Sequence, residues 1–385
     1  MTKFWQLISQ RYFSFAQQLQ LSFAKIYPLV LMDTYLHLIR LTCLTPNGFF
    51  VQIFHLPLLQ GPWARNISTI INLLELLIMC FLGYVLTEQW RPQTKYLNSL
   101  NTILILIINS WNFNPELKFS FKVPVFCLVI IISYSVARIW PLIPGKFLPL
   151  TCSLISGYLL NLLRSSTFLT SLPGISTSSR HINWSAVAPL AGIRNLAAWM
   201  GLIDPFSSNS QYINSPKATA NLAQALSKKS LQNLPYPINI HSVYTSYAFL
   251  GGVGGTLGLI IALYLLKQNR LVLENIFLCS FGFNAPLLIG LPLLFNPFLL
   301  IPFILSPLVS MGIGACFINF GWAPPAVYQV FAGTPNWLVN FLGTNGNWAS
   351  LIATILAIAC STAIYYPFIK FEVQHERTSL DPNLS

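Results

Sequence analysis

The sequence predicts an all-α membrane protein with about 8–10 transmembrane helices. Of its 385 residues, 54% are hydrophobic and 8% are charged, whereas soluble domains carry about 25% charged residues. Apolar runs of span length recur along the whole chain. One of them is interrupted by prolines and glycines near residues 281–292, which predicts a broken or re-entrant hairpin there. Helices satisfy their own backbone groups in lipid, so they suit such a composition.

The predicted spans are the longest apolar runs of the chain. The run at 100–112 is short for a full crossing and is expected to be either a span or a re-entrant segment. Residues 204–246 are polar and proline-marked, which predicts a long loop with a short surface helix from Lys217 to Lys229. The ten runs lie near 24–44, 69–87, 100–112, 123–140, 148–169, 184–203, 247–266, 271–295, 297–320 and 348–369.

The charge pattern favours a lipid surface over a nucleic acid as the partner of the basic residues. The net charge is +12, but the basic residues are scattered, and several lie at span ends, such as Lys228 with Lys229. The first 22 residues lack the apolar stretch of a cleavable signal peptide and are expected to be an interfacial or cytoplasmic lead-in. We therefore expect a multi-pass protein of the inner or plasma membrane.

Three ionisable residues lie within the first apolar run. The spacings of four and three between Asp33, His37 and Arg40 place them on one helical face, which must be directed away from lipid. Two alternatives are a buried polar contact between helices and a functional ion path.

No pattern in the sequence predicts a cofactor, a metal site or a catalytic residue. The seven cysteines are dispersed without a Cys-x-x-Cys motif, which indicates a structural role. The glycines of Gly251–Gly258 open a helix, but no strand precedes them and no Lys-Ser or Lys-Thr follows. They favour close helix packing or a cavity lining over nucleotide binding.

The stretch 281–302 reads FGFNAPLLIGLPLLFNPFLLIP and contains prolines at positions 286, 292, 297 and 302. An interior proline costs a helix about 3 kcal/mol, so these prolines predict a break. Irregular backbone at membrane depth is tolerated where it lines a cavity, and transporters commonly bind solutes there. The stretch therefore predicts a solute site near Asn284, with a kinked packing helix as the alternative.

Several segments carry a resemblance to a known family. SYAFLGGVGGTLGLIIALYLL, FNAPLLIGLPLLFNPFLLIPFILSPLVS, GWAPPAV, FLGTNGNWASL and IYYPFIKFEVQ occur in this order. Together they resemble the membrane permeases (enzyme IIC) of the lactose, cellobiose and chitobiose branch of the sugar phosphotransferase system. The resemblance is strongest over residues 239–376, and the chain looks like a divergent member.

The resemblance implies a homodimeric permease with two halves. Residues 1–170 would form the transmembrane scaffold and dimerisation half, and residues 171–385 the substrate-binding half. The permease would translocate a disaccharide similar to cellobiose or lactose. Its partners, enzymes IIA and IIB, would pass phosphate from phosphoenolpyruvate to the sugar, so the permease would carry no phosphorylated residue and no catalytic residue of its own.

Three positions depart from the motifs of that family. Its Asn-Glu-Pro motif, whose glutamate accepts sugar hydrogen bonds, reads Asn284, Ala285, Pro286 here. Its Gly-Ile-His-Gly motif has Arg194 in the place of histidine, and arginine cannot act as a base near neutral pH. Its Pro-Trp-Thr-x-Pro motif has Ala332 in the place of the tryptophan that stacks on the sugar.

The predicted substrate-binding residues follow from these matches. Asn284, Arg194 and His241 are expected to face one polar cavity beside Gly251–Gly255, and Phe331 and Trp337 are expected to replace the lost stacking surface. Ala285→Glu combined with Ala332→Trp is expected to strengthen disaccharide binding. The departures also leave an alternative function, a degenerate enzyme IIC-like protein that does not phosphorylate sugar and acts as a sensor, a regulator or a transporter of another solute.

Overall fold

The computed structural model describes residues 2–55, 62–92, 95–111, 124–145, 147–165, 184–203, 215–291 and 293–380. These residues form α-helices joined by short turns, with two π-helical segments and no β-strand beyond one isolated bridge. The all-α prediction is therefore confirmed for the part of the chain that the structure describes.

The N-terminal helices pack around α3, which contacts α1, α4 and α5, while α6 packs on α4. The predicted lead-in is helical and continuous with the first span, because α1 begins at Thr2. The elements are α1 (Thr2–Ile39) with its π-helical continuation Arg40–Leu44, α2 (Phe49–Phe54), α3 (Pro62–Trp90), α4 (Lys95–Ser110), α5 (Phe126–Ile139) and α6 (Phe147–Ser165).

The C-terminal helices pack around α12 and α14, which lie along each other; α9 packs on α14, and α7 packs on α12. The elements are α7 (Trp184–Trp199), α8 (Pro216–Lys228), a π-helix (Ile240–Ala248), α9 (Thr256–Leu265), α10 (Asn269–Ser280), α11 (Ala285–Gly290), α12 (Pro297–Asn319), α13 (Asn336–Gly343) and α14 (Trp348–Leu380).

Local chemistry explains several helix boundaries. Pro216 opens α8, where its missing N–H costs nothing, and the predicted surface helix is confirmed within one residue at each end. Asn296 caps α12 by accepting a hydrogen bond from the Phe298 N–H at 3.1 Å. Asn347 accepts one from the Ser350 N–H at 3.1 Å at the start of α14.

The predicted break in the apolar run 271–295 is confirmed. Helix α10 ends at Ser280, Gly282 has a φ of +86°, and the six-residue helix α11 follows. Pro286 lies in the first turn of α11, where a proline is tolerated. Pro302 does not break a helix, because it lies inside the continuous helix α12. Pro292 lies outside the described residues.

The predicted loop 204–246 is wrong at its C-terminal end. Residues Ile240–Ala248 form a π-helix whose side chains are all buried. Asn239 starts it with a capping box, in which its side chain accepts hydrogen bonds from the His241 and Ser242 N–H groups. The Ser242 hydroxyl accepts the Asn239 N–H in return at 3.0 Å.

Three of the described helices are long and apolar enough to cross a membrane: Arg65–Trp90, Pro297–Asn319 and Trp348–Gln374. Shorter apolar helices accompany them, including Tyr96–Ser110 and Thr256–Leu265. The expectation of a helical membrane protein is confirmed, and the number of 8–10 spans stays a prediction.

One hydrophobic core joins residues from both predicted halves of the chain. It includes Phe23 and Phe126 from the N-terminal helices and Leu263 and Phe303 from the C-terminal ones. Helix α1 also packs against the short helix α11, where the Tyr27 ring lies against Gly290. The break at residues 281–284 is thus held between α1 and the C-terminal helices.

Candidate substrate-binding site

A glycine-rich turn lies at the centre of the candidate site. We call residues 249–255, which connect the π-helix to α9, the glycine turn. Gly251, Gly252, Gly254 and Gly255 all have φ between +66° and +107°, a region that side chains disfavour. A Cβ atom on Gly252 would lie 2.6 Å from the Asn284 side chain, so this contact requires glycine.

Helices α12 and α14 fix the turn from one side. The Tyr365 hydroxyl donates a hydrogen bond to the Gly254 carbonyl at 2.6 Å, and the Ser361 hydroxyl donates one to the Gly255 carbonyl at 3.1 Å. Ser306 of α12 joins Ser361 at 2.5 Å between hydroxyl oxygens. These buried contacts make the turn a rigid support for the groups that meet it on the other side.

Asn284 meets the glycine turn directly. Its amide nitrogen Nδ2 donates to the Val253 carbonyl at 2.7 Å and to the Thr256 hydroxyl at 3.3 Å. Its side chain is buried at the break between α10 and α11. The neighbouring Ala285 is 1% exposed and lies in the hydrophobic core, so the position that the family resemblance assigns to glutamate is surrounded by apolar side chains here.

Arg194 reaches the same turn from α7. Its guanidinium carbon lies 5.6 Å from the centre of the Phe249 ring, which is a cation–π contact. Asn336 approaches from α13, where its side-chain amide donates to the Phe249 carbonyl and packs against Gly282. The structure therefore brings Arg194 and Asn284 to one turn and adds Asn336, for which the sequence gives no local signal.

His241 lies in the first part of the π-helix that precedes the turn. The residue is 2% exposed, and its ring lies beside the Tyr328 backbone. Burial lowers the pKa of His241 to about 4. This effect outweighs the backbone hydrogen bond with Tyr328, which raises the pKa. The capping box of Asn239 and Ser242 is the sequence signal that could have placed His241 on a helix.

Phe331 precedes α13 and Trp337 lies in its first turn, with 43% and 40% of their surface exposed. Between them, the Ala332 N–H donates to the Asn47 carbonyl at 2.8 Å, and its carbonyl accepts from the Phe49 N–H at 2.9 Å. The segment that precedes α13 is therefore hydrogen-bonded to the connection between α1 and α2, and both backbone groups of Ala332 take part in these bonds.

Of the ionisable residues of the first span, Asp33 and His37 are buried, as predicted. Arg40 is half-buried and lies in the π-helical continuation of α1. His37 Nε2 lies 2.6 Å from Glu75 Oε1 of α3, so these residues form a polar contact between helices. Glu75 is not among the residues predicted from the sequence, although a lone acid within an apolar run is itself a signal.

Comparisons with known proteins bear on the family. No established family profile matches the chain. It is 30% identical over 146 residues to the "PTS system cellobiose-specific EIIC component" of Lactococcus lactis subsp. lactis (strain IL1403), which covers 37% of this chain and 30% of that protein. It is also 30% identical over 126 residues to the "Lichenan permease IIC component" of Bacillus subtilis (strain 168), covering 31% and 28%.

The chain thus spans about a third of the length of the curated relatives it matches. A structural comparison aligns 94% of it with 95% of the transporter ChbC, the IIC component of the N,N'-diacetylchitobiose-specific phosphotransferase system, at 18% identity and a TM-score of 0.43. The resemblance found in the sequence is confirmed by the curated relatives: this integral membrane protein is similar, over about a third of its length, to enzyme IIC permease components of sugar phosphotransferase systems.

Proposed function

We propose that this protein is the membrane permease subunit of a phosphoenolpyruvate-dependent sugar phosphotransferase system in the plasma membrane. It translocates a disaccharide similar to cellobiose or lactose, and partner enzymes IIA and IIB supply the phosphate. The similarity to permeases named for cellobiose, lichenan and lactose is the observation that carries this proposal.

The chemistry around the glycine turn suits a sugar. Sugar hydroxyls are bound by amides and by guanidinium groups, and sugar rings by aromatic faces. Asn284, Arg194 and Asn336 all contact the rigid turn at residues 249–255. The rings of Phe331 and Trp337 are partly exposed close to Asn336 in the chain, and we assign them the stacking role.

His241 has a different place in this proposal. It is buried beside the Tyr328 backbone, and the loop that follows Tyr328 leads to Phe331. A neutral imidazole carries one N–H donor and one acceptor nitrogen, so it can donate to one hydroxyl or accept from another. We assign His241 the recognition of a sugar hydroxyl that enters between the π-helix and this loop.

The proposal includes an assembly. Residues 1–170 supply the scaffold and the homodimer contact, and residues 171–385 supply the sugar chamber. One hydrophobic core contains residues of both halves, and α1 packs against α11, so the two halves are in direct contact.

Isothermal titration of the purified protein with cellobiose, lactose and N,N'-diacetylchitobiose tests the proposed function. We expect saturable binding of at least one of them. Trp337→Ala should weaken that binding about tenfold, which corresponds to ~1.4 kcal/mol. Arg194→Gln should weaken it by a similar factor, because the charged donor is lost.

Trp348→Ala is the matched control, because Trp348 is also an exposed tryptophan, with 70% of its surface accessible, and it lies at the start of α14. It should leave the sugar affinity unchanged. If none of the disaccharides binds to protein that elutes as a single species, the proposal fails and a non-sugar role takes its place.

A further inference from the structure

A second group of chemically active side chains lies far along the chain from the glycine turn. Asp33 and His37 are one helical turn apart on α1, and Glu75 faces them from α3. His37 Nε2 lies 2.6 Å from Glu75 Oε1 and 3.7 Å from Asp33 Oδ2. We call these three residues the Asp33–His37–Glu75 cluster.

The cluster has the composition and the size of a metal site. Each residue offers one ligand atom, and all three ligand atoms lie within 4.8 Å of one another. The three side chains are buried, with relative exposures of 0%, 7% and 6% in chain order. Two ligands at positions i and i+4 of one helix, completed by a third from a neighbouring helix, form a recurring arrangement for metal binding.

The donor atoms restrict the choice of ion. Ca²⁺ and Mg²⁺ prefer oxygen ligands, whereas one imidazole nitrogen with two carboxylates suits Zn²⁺ and related transition-metal ions. Two ligand atoms that each lie about 2.0–2.1 Å from a tetrahedral ion are about 3.3 Å apart. The 3.7 Å between His37 and Asp33 is already close to this value, and the 2.6 Å between His37 and Glu75 has to open by about 0.7 Å.

Charge also favours a dication. Two carboxylates within an apolar helix pair are costly to ionise, because water is excluded from them. Glu75 lies well inside the long apolar helix Arg65–Trp90. A divalent ion would offset both negative charges and would bind His37 at Nε2, the atom that now lies 2.6 Å from Glu75.

We propose that Asp33, His37 and Glu75 bind one divalent transition-metal ion, with Zn²⁺ as the best chemical match. Three protein ligands leave a fourth position for water. The ion joins α1 to α3, and α1 in turn contacts α11 next to the candidate sugar site. The proposal stands on the geometry of the cluster and is independent of the proposed sugar permease function.

Metal analysis of the full-length protein, purified through a tag without histidine and dialysed against a chelator, tests this site. After incubation with Zn²⁺ and desalting, mass spectrometry should find about one Zn²⁺ per chain. Zn²⁺ should also raise the thermal unfolding temperature. Loading with Co²⁺ should give visible absorption bands typical of nitrogen and oxygen ligands, a readout that needs no variant.

Two isosteric variants and one control complete the test. Glu75→Gln and Asp33→Asn should each weaken Zn²⁺ binding at least about tenfold and abolish the thermal shift. His55→Gln, which removes an exposed histidine outside the cluster, should bind Zn²⁺ as the unaltered chain does. The proposal is overturned if the unaltered chain retains no Zn²⁺ and gives no Co²⁺ bands, which would leave a structural ion pair only, or if both variants retain as much Zn²⁺ as the unaltered chain.

Discussion

At residue 285, the role expected from the sequence differs from the environment that the structure shows. By resemblance to the family, alanine stands where a glutamate would contact sugar, which suggested that restoring the acid would restore binding. In the structure this alanine is 1% exposed within the core. A carboxylate there is surrounded by apolar side chains instead of sugar hydroxyls, so the expectation from the sequence has to be reversed.

We therefore predict that Ala285→Glu destabilises the protein by on the order of 3–5 kcal/mol, because it buries an uncompensated charge. Thermal unfolding of detergent-purified protein measures this effect. Ala223→Glu, at an exposed position of α8, is the matched control and should change little. An unchanged unfolding temperature together with stronger sugar binding in Ala285→Glu would show that side chain 285 reaches the sugar after all.

His241 gives a prediction about pH. Its folded pKa of about 4 lies below the ordinary value of 6.5, so between these values the unfolded chain binds a proton that the folded chain does not. The contribution of His241 to the free energy of unfolding is therefore complete above pH ~6.5 and is lost as the pH falls towards 4. It amounts to roughly 3 kcal/mol at most.

The measurement is the unfolding temperature at pH 7.5 and pH 5. His241→Gln should show a smaller loss on acidification than the unaltered chain, and His55→Gln, at an exposed residue, should show the same loss as the unaltered chain. Equal pH dependence in all three proteins would mean that His241 is protonated as easily in the folded state as in the unfolded one.

At the scale of elements, the glycine turn organises the site. Gly252 has a φ of +107°, and a Cβ there would meet the Asn284 side chain. We predict that Gly252→Ala costs at least about 1–2 kcal/mol from backbone strain alone and displaces Asn284. Thermal unfolding and sugar titration of the same preparation report both effects.

Gly312→Ala is the control for this prediction. Gly312 lies inside α12, and a Cβ at that position would meet no atom within 4 Å. The substitution should therefore stabilise the helix by about 0.5–1 kcal/mol. If Gly252→Ala behaves like Gly312→Ala, the close approach of Asn284 to the turn is not a constraint on the fold.

The elements that the sequence predicted are those with strong local signals. Pro216 marked the start of α8, and the Gly282 and Pro286 pair marked the break before α11. The π-helix at Ile240–Ala248 was missed, although its apolar residues recur at helical spacing, because the polar, proline-marked run before it was read as continuing to residue 246. Asn336 could not be predicted, since its role comes from contacts with Gly282 and Phe249, which are distant in the chain.

At the scale of the whole molecule, the homodimer contact is proposed within residues 1–170. Helix α6 carries an exposed apolar row there, formed by Leu154, Tyr158 and Leu162 at helical spacing. We predict that Tyr158→Cys, in a background whose seven cysteines are replaced, cross-links between two copies in the membrane.

Ile352→Cys is the matched position on the C-terminal side, because Ile352 is an equally apolar and exposed residue of α14. It should give little cross-linked dimer under the same conditions. Cross-linking at position 352 with none at position 158 would move the dimer contact to the other half of the chain. Both products are measured by gel electrophoresis without reductant.

The most direct test of the proposed function is phosphoenolpyruvate-dependent phosphorylation of sugar by the purified protein. Detergent-solubilised permease is mixed with the soluble phosphate-transfer proteins of a cellobiose phosphotransferase system, phosphoenolpyruvate and radiolabelled cellobiose, and sugar phosphate is separated and counted. We predict that sugar phosphate forms only when the permease, enzyme IIB and phosphoenolpyruvate are all present, and that Trp337→Ala lowers the rate about tenfold at low sugar concentration. Saturable cellobiose binding without any sugar phosphate would contradict a working phosphotransferase permease.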